Sequence, residues 1–160
     1  ELALAFGMRV IVYDRSPEKK KSDPEIETAR IEFVDLIQLY ASSDIISLHC
    51  PLTKETEGMI NRASIDQMQE GVTIINTARG GLIREEELAA ALEAGKVKTA
   101  AVDVLSTEPP ASSNPLLNSD KTIVTPHIAW ASRAARERLM GTVVANLKSY
   151  LADNLVNQVN

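Results

Sequence analysis

Apolar residues recur along the chain in two rhythms. Short runs at Met8 to Tyr13 (MRVIVY), Ile45 to Leu48 (IISL), Val72 to Ile75 (VTII), Lys98 to Val104 (KTAAVDV) and Thr122 to Val124 (TIV) read as strands. Near-continuous runs of this kind fit a parallel sheet covered on both faces. Between them lie stretches of helical character. Asp35 to Ala41 predicts a short helix, Asn61 caps another that carries Ile65 and Met68, and Arg84 to Ala94 predicts a third ending at Gly95. Glu85, Glu86 and Glu87 fall in the first turn of that third helix, where exposed amides favour negative charge. From Ser132, a residue type suited to an N-cap, Leu139, Val143 and Leu147 follow at intervals of four with Met140 and Val144 beside them, which predicts a long amphipathic helix. Residues 1–7 resemble the tail of a helix closed by Gly7, so the chain is expected to begin inside a helix.

Strands alternating with helices need crossover connections, and such connections make parallel neighbours. The predicted fold is therefore a doubly wound, Rossmann-like α/β domain over residues 1–152, with 153–160 as a C-terminal tail. A polar loop containing Lys19-Lys20-Lys21, Pro17 and Pro24 is expected after the first strand, and a Pro-, Ser- and Asn-rich loop with Pro109, Pro110 and Pro115 before the last.

Composition narrows the chemistry. The 160 residues are 44% hydrophobic and 24% charged, enough for one sizeable core, and the formal charge of −5 disfavours a nucleic-acid surface, which needs a basic face. No apolar stretch approaches the roughly 20 residues that span a bilayer, so a cytoplasmic location is the default expectation. Cys50 is the only cysteine and His49 and His127 the only histidines, which leaves neither a disulfide nor a ligand set for structural zinc. No metal is expected.

In an open parallel sheet ligands bind at the carboxyl ends of the strands. Those positions carry Asp14, His49, the turn from Asn76 to Gly81 with Arg79, Asp103 followed by Glu108, and His127. Asp14 either starts a loop or accepts hydrogen bonds from the ribose hydroxyls of an adenine nucleotide, which would favour NAD over NADP. The glycine-rich turn that accompanies such an acid is not in these residues, and truncation just after it is the simpler account. His127 can be a residue bonding backbone before a helix, Arg79 one arm of a surface salt bridge, and Glu108 a solvated loop residue. Alternatively, all three serve one site.

Four segments together resemble one family: His49-Cys-Pro-Leu-Thr53, Ile75-Asn-Thr-Ala-Arg-Gly-Gly81, Ala101-Val-Asp-Val-Leu-Ser-Thr-Glu-Pro109 and Thr125-Pro-His-Ile-Ala129. They are similar, in order and spacing, to segments of the D-isomer-specific 2-hydroxyacid dehydrogenases, which include phosphoglycerate, glycerate and D-lactate dehydrogenases. The resemblance implies an NAD-dependent oxidoreductase that interconverts a 2-keto acid and a D-2-hydroxy acid by hydride transfer. It implies Arg79 as the carboxylate-binding arginine, His127 as the acid/base and Glu108 as its partner. Arginine suits the first role because its planar fork grips a carboxylate through paired hydrogen bonds. The carboxylate would orient the imidazole and stabilise its charged form. The resemblance also implies cofactor contacts from Asp14, Cys50, Pro51, Thr77, Ala78, Arg79, Asp103, His127 and Ala129, with His49 supporting its turn.

Trp130 completes a His-Ile-Ala-Trp run like that of members acting on hydroxypyruvate and D-glycerate; either a substrate role or an interface role fits it. A non-catalytic NAD-sensing corepressor or scaffold, or a phosphoglycerate or D-lactate dehydrogenase, are the alternatives. The family also implies a substrate domain towards which 153–160 return, and a homodimer built through this domain.

Overall fold

The computed structural model describes residues 1–18 and 31–159. The lysine run 19–21 and Pro24 lie outside them. The chain divides into two compact units, Glu1–Val124 and Thr125–Asn160.

The first unit opens with α1 (Leu2–Ala5), which ends at Gly7 with φ +76°. β1 (Ile11–Val12) and β2 (Glu32–Phe33) form a parallel pair with Ile11 opposite Glu32. The strand expected over Met8 to Tyr13 is thus shorter. Its C-terminal limit follows from its partner: the Val34 N–H makes a last bond to the Val12 carbonyl, and the next residue, Asp35, caps α2 (Leu36–Ser42) by accepting the Gln38 N–H at 2.7 Å. Pairing cannot extend where the partner has already turned into a helix. The polar loop expected after β1 is also corrected, since residues 17–18 have helical backbone and Glu32–Phe33 is a strand.

A second, four-stranded parallel sheet follows, in the order β3 (Ile45–Leu48), β4 (Val72–Asn76), β5 (Val97–Val102) and β6 (Thr122–Val124). Ile46 lies opposite Ile74, Ile74 opposite Ala100, and Ala100 opposite Thr122. Helices connect and flank these strands, giving the Rossmann-like α/β fold. Asn61 caps α3 (Arg62–Asp66) through a reciprocal capping box with Ser64. Met68 falls just beyond that helix yet is buried. α4 (Glu85–Glu93) comes next and its C-terminal turn closes at Gly95 with φ +81°.

Alternation along β4 puts Val72, Ile74 and Asn76 inside. Ile74 joins Val97, Leu88, Leu92 and Leu82, all with 0% exposure, in a single core cluster. Tyr40 is buried at its edge, and its hydroxyl donates to the Met59 carbonyl at 3.3 Å. Burial, with a smaller contribution from nearby Cys50, pushes its pKa up from 10 to about 12, despite an opposing hydrogen bond with Ser64.

The second unit is dominated by α5 (Arg133–Leu151), capped by Ser132, which accepts the Ala135 N–H. The predicted stripe of Leu139, Val143 and Leu147 stands exposed. Among the described residues, no helix is long and apolar enough to cross a membrane, and no group of three or more His, Cys, Asp or Glu could hold a metal ion.

Ile74→Ala, which hollows the middle of the sheet, is expected to cost about 2–5 kcal/mol in urea unfolding. Tyr40 costs no stability below pH 10, where it is protonated both folded and unfolded. Above that the unfolded chain loses the proton first, so stability should fall as pH rises from 10 to about 12, and Tyr40→Phe should remove that part of the decline in alkaline melts.

Candidate active site at the strand ends

The turn after β4 is shaped by a buried amide. The Asn76 side chain, with 0% exposure, accepts the Ala78 N–H at 3.0 Å through Oδ1 and donates from Nδ2 to the Arg79 carbonyl at 2.9 Å. A buried amide left unpaired is costly, so satisfying both ends fixes the course of residues 77–79. The backbone carbonyl of Asn76 accepts the Asp103 N–H at 2.9 Å, which ties this turn to the end of β5. Thr77 and Arg79 are exposed, Ala78 half-buried and Asp103 buried. One guanidinium nitrogen of Arg79 donates to the Ala78 carbonyl at 2.7 Å. Five N–H donors leave the fork able to take a ligand as well.

The next residues form a short 3₁₀ turn, Gly80–Leu82, which the hydrophobic pattern does not predict. Gly80 is buried against the loop after β5: a Cβ there would lie 2.0 Å from the Leu105 carbonyl carbon and oxygen and 2.5 Å from the Ser106 nitrogen. Only glycine permits that approach. At Gly81 the nearest atoms are the flexible tip of Leu52, at 2.9 Å.

The loop after β5 is held from the other side by α4. Glu85 is buried; its Oε1 accepts the Ser106 N–H at 2.6 Å, and its Oε2 accepts from Asn114 Nδ2 at 2.7 Å. Asn114 Oδ1 in turn accepts the Leu116 N–H at 2.9 Å. The glutamate placed by the helix dipole is therefore also a tertiary clamp. Glu108, exposed in the same loop, accepts the Leu105 N–H at 3.1 Å. Arg79 and Glu108 thus stand on two segments in direct backbone contact.

At the end of β1, Asp14 is half-buried and its Oδ1 accepts the Ser16 N–H at 2.7 Å. A carboxylate offers about four acceptor sites, so this turn bond leaves capacity for further donors. Beyond β3, Cys50 is half-buried with Sγ 3.6 Å from the Met59 sulfur, and Pro51 is exposed, its carbonyl accepting from Thr56 Oγ1 at 2.7 Å. His49 Nε2 pairs with Ser47 Oγ at 2.9 Å.

In the second unit His127 is exposed and has φ +53°, a left-handed conformation uncommon outside glycine, asparagine and aspartate, though histidine is among the residues that tolerate it. Its backbone is held on both sides. The His127 N–H donates to the Thr125 carbonyl at 3.0 Å, and its own carbonyl accepts the Trp130 indole N–H at 2.9 Å. The tryptophan therefore braces the histidine turn. Ala129 is exposed between them.

The structure places Arg79, Asp103 and Glu108 on adjoining segments of the first unit and His127, Ala129 and Trp130 in the second. Asn76, Gly80 and Glu85 organise the site without having been assigned roles from sequence. Asn76 and Gly80 lie inside a quoted motif, whereas nothing local distinguishes Glu85 from the two acids beside it.

In a parallel sheet ligands bind beyond the carboxyl ends of the strands, which is where these ionisable and hydroxyl groups collect. Residues 1–129 match the family described as D-isomer specific 2-hydroxyacid dehydrogenase, NAD binding domain, and the chain belongs to that family. A hydroxypyruvate reductase of Blautia hydrogenotrophica is 45% identical over 160 residues, covering 100% of this chain and 48% of that protein. A glyoxylate reductase from Paecilomyes thermophila superimposes with a TM-score of 0.86 at 36% identity, covering 99% of this chain and 47% of the other. An Aquifex aeolicus D-lactate dehydrogenase, solved with NAD and lactic acid, gives 0.82 at 33% identity, over 96% and 49%. The chain spans about half the length of these relatives.

Gly80→Ala must displace the Leu105–Ser106 backbone, and is expected to cost about 3 kcal/mol in urea unfolding, whereas Gly81→Ala, met only by a movable leucine tip, should cost under about 1 kcal/mol.

Proposed function

We propose that the chain is the NAD-binding, chemistry-bearing part of an enzyme that reduces a 2-keto acid to a D-2-hydroxy acid, or runs the reverse, with hydroxypyruvate and D-glycerate as the preferred pair. The observation that carries this reading is the packing of the Arg79 turn, through Gly80, on the loop that bears Glu108. Similarity to hydroxypyruvate and glyoxylate reductases supports the substrate class.

The strand ends offer the donor set that NAD needs. Asp14 would accept from the adenine ribose hydroxyls, Cys50 and Pro51 would line the ribose side, and Thr77, Ala78, Arg79, Asp103, His127 and Ala129 would hold the nicotinamide half. Bound there, NADH would supply a hydride for the keto carbon. Arg79 grips the substrate carboxylate and polarises the neighbouring carbonyl. His127 gives a proton to the carbonyl oxygen as negative charge develops on it. By the family resemblance, Glu108 would orient the imidazole.

We assign residues 1–152 to the NAD-binding domain and 153–160 to a tail returning towards a substrate domain. The remaining proposed partner is a second copy of the chain, meeting it through this domain in the cytoplasm. Support comes from family membership.

The test is NADH consumption by the full-length protein on hydroxypyruvate, glyoxylate, pyruvate and 3-phosphohydroxypyruvate. Hydroxypyruvate is expected to give the highest kcat/KM. His127→Ala should lower kcat by about 10²–10⁴-fold, the range removed with a general acid. Arg79→Lys, which keeps charge but loses the fork, should lower kcat/KM by about 10²-fold. NADH binding without turnover of any of the four acids would instead identify an NAD-sensing scaffold.

A further inference from the structure

The Leu105–Ser106 peptide is the point where the two arms of the proposed site meet. Gly80, next to Arg79, presses on its carbonyl carbon and oxygen. Glu108 accepts the N–H of Leu105, one residue before that peptide's own N–H. The peptide N–H itself, from Ser106, goes to Glu85 at 2.6 Å. Ser106 is exposed, yet its amide is held by a carboxylate that is buried. The second oxygen of Glu85 reaches Asn114, on the far limb of the same loop. Resting on the proposed reduction, the geometry points to Glu85 as a positioning residue: from the first turn of α4 it sets the spacing between the Arg79 turn and the Glu108 loop.

The hydrogen-bond directions explain why an acid is needed. Glu85 faces two donors, the Ser106 N–H and Asn114 Nδ2, and an ionised carboxylate accepts both. Asn114 cannot flip to offer an acceptor without giving up the Leu116 N–H bond made by its Oδ1. In Glu85→Gln the new amide N–H₂ therefore meets the Asn114 N–H₂, donor against donor. In Asn114→Asp, two carboxylates meet. Glu85→Gln with Asn114→Asp restores every pairing: the introduced amide oxygen accepts from Ser106, its N–H₂ donates to the new carboxylate at position 114, and that carboxylate's other oxygen still accepts from Leu116. A residue that merely fills space would not show this reciprocity. Glu86, exposed in the same turn, has no such role; Glu87 faces a different partner, accepting the Arg62 N–H.

The experiment uses the full-length protein and compares wild type, Glu85→Gln, Asn114→Asp and the double variant. It reads kcat and KM for hydroxypyruvate, NADH Kd and thermal stability, together with the exchange rate of the Ser106 amide. Glu85→Gln is expected to lower kcat/KM by on the order of 10- to 100-fold, the loss that small misplacements of a substrate-gripping group produce, with the KM for hydroxypyruvate raised by a larger factor than the NADH Kd. Ser106 exchange should quicken. The double variant should recover most of both. If Asn114→Asp fails to fold, the Glu85→Gln and double variants alone carry the comparison. Folded Glu85→Gln protein with wild-type kinetics but a lower Tm would overturn the positioning role and leave a purely structural clamp. So would a folded double variant that fails to regain activity. A wild-type protein inactive on every 2-keto acid sinks the functional reading instead, and slow Ser106 exchange in it would show the clamp intact.

Discussion

A buried side-chain amide that must satisfy both its donor and its acceptor is the constraint from which the strand-end geometry follows. Asn76 stands on the inward face of β4, where water cannot reach it. Its only stable environment is a backbone that curls to present an N–H and a carbonyl within three residues, and residues 77–79 do so. The curl leaves the Arg79 side chain exposed and delivers Gly80 onto the backbone of the neighbouring loop. Through its main-chain carbonyl the same asparagine also fixes Asp103. A single core residue thereby couples the ends of two adjacent parallel strands, and the exposed groups inherit their order from the interior.

Much of this was legible in the residues. β3 ends at Leu48 and β6 runs from Thr122 to Val124 as the apolar runs indicate, and Asp35, Asn61 and Ser132 cap helices because each offers an oxygen beside unpaired amides. β2 escaped notice because two residues carry no periodicity; only pairing with Ile11 and Val12 makes them a strand. Glu85 escaped for a different reason. In sequence it is one of three adjacent acids, and the partners that set it apart lie 21 and 29 residues away. Local patterns encode which backbone groups need partners; they do not encode which distant segment supplies them.

The division of labour across the chain follows the same logic. Parallel strands all finish on one edge, so a domain of this fold gathers loops that are remote in sequence without arranging their side chains individually. Here Asn76, Gly80 and Glu85 hold the Arg79 turn and the Glu108 loop from the interior of the first unit, while the Arg79 and Glu108 side chains remain in solvent. The framework that fixes the loops is therefore distinct from the side chains that the loops present.

The brace between Trp130 and His127 has an optical consequence. The chain contains one tryptophan, and its indole N–H is bonded to the carbonyl of a histidine held in the left-handed region. Indole emission responds to hydrogen bonding at that nitrogen and to the polarity around the ring. The tryptophan fluorescence of this chain is thus the signal of one turn, a built-in reporter of the backbone that carries the imidazole.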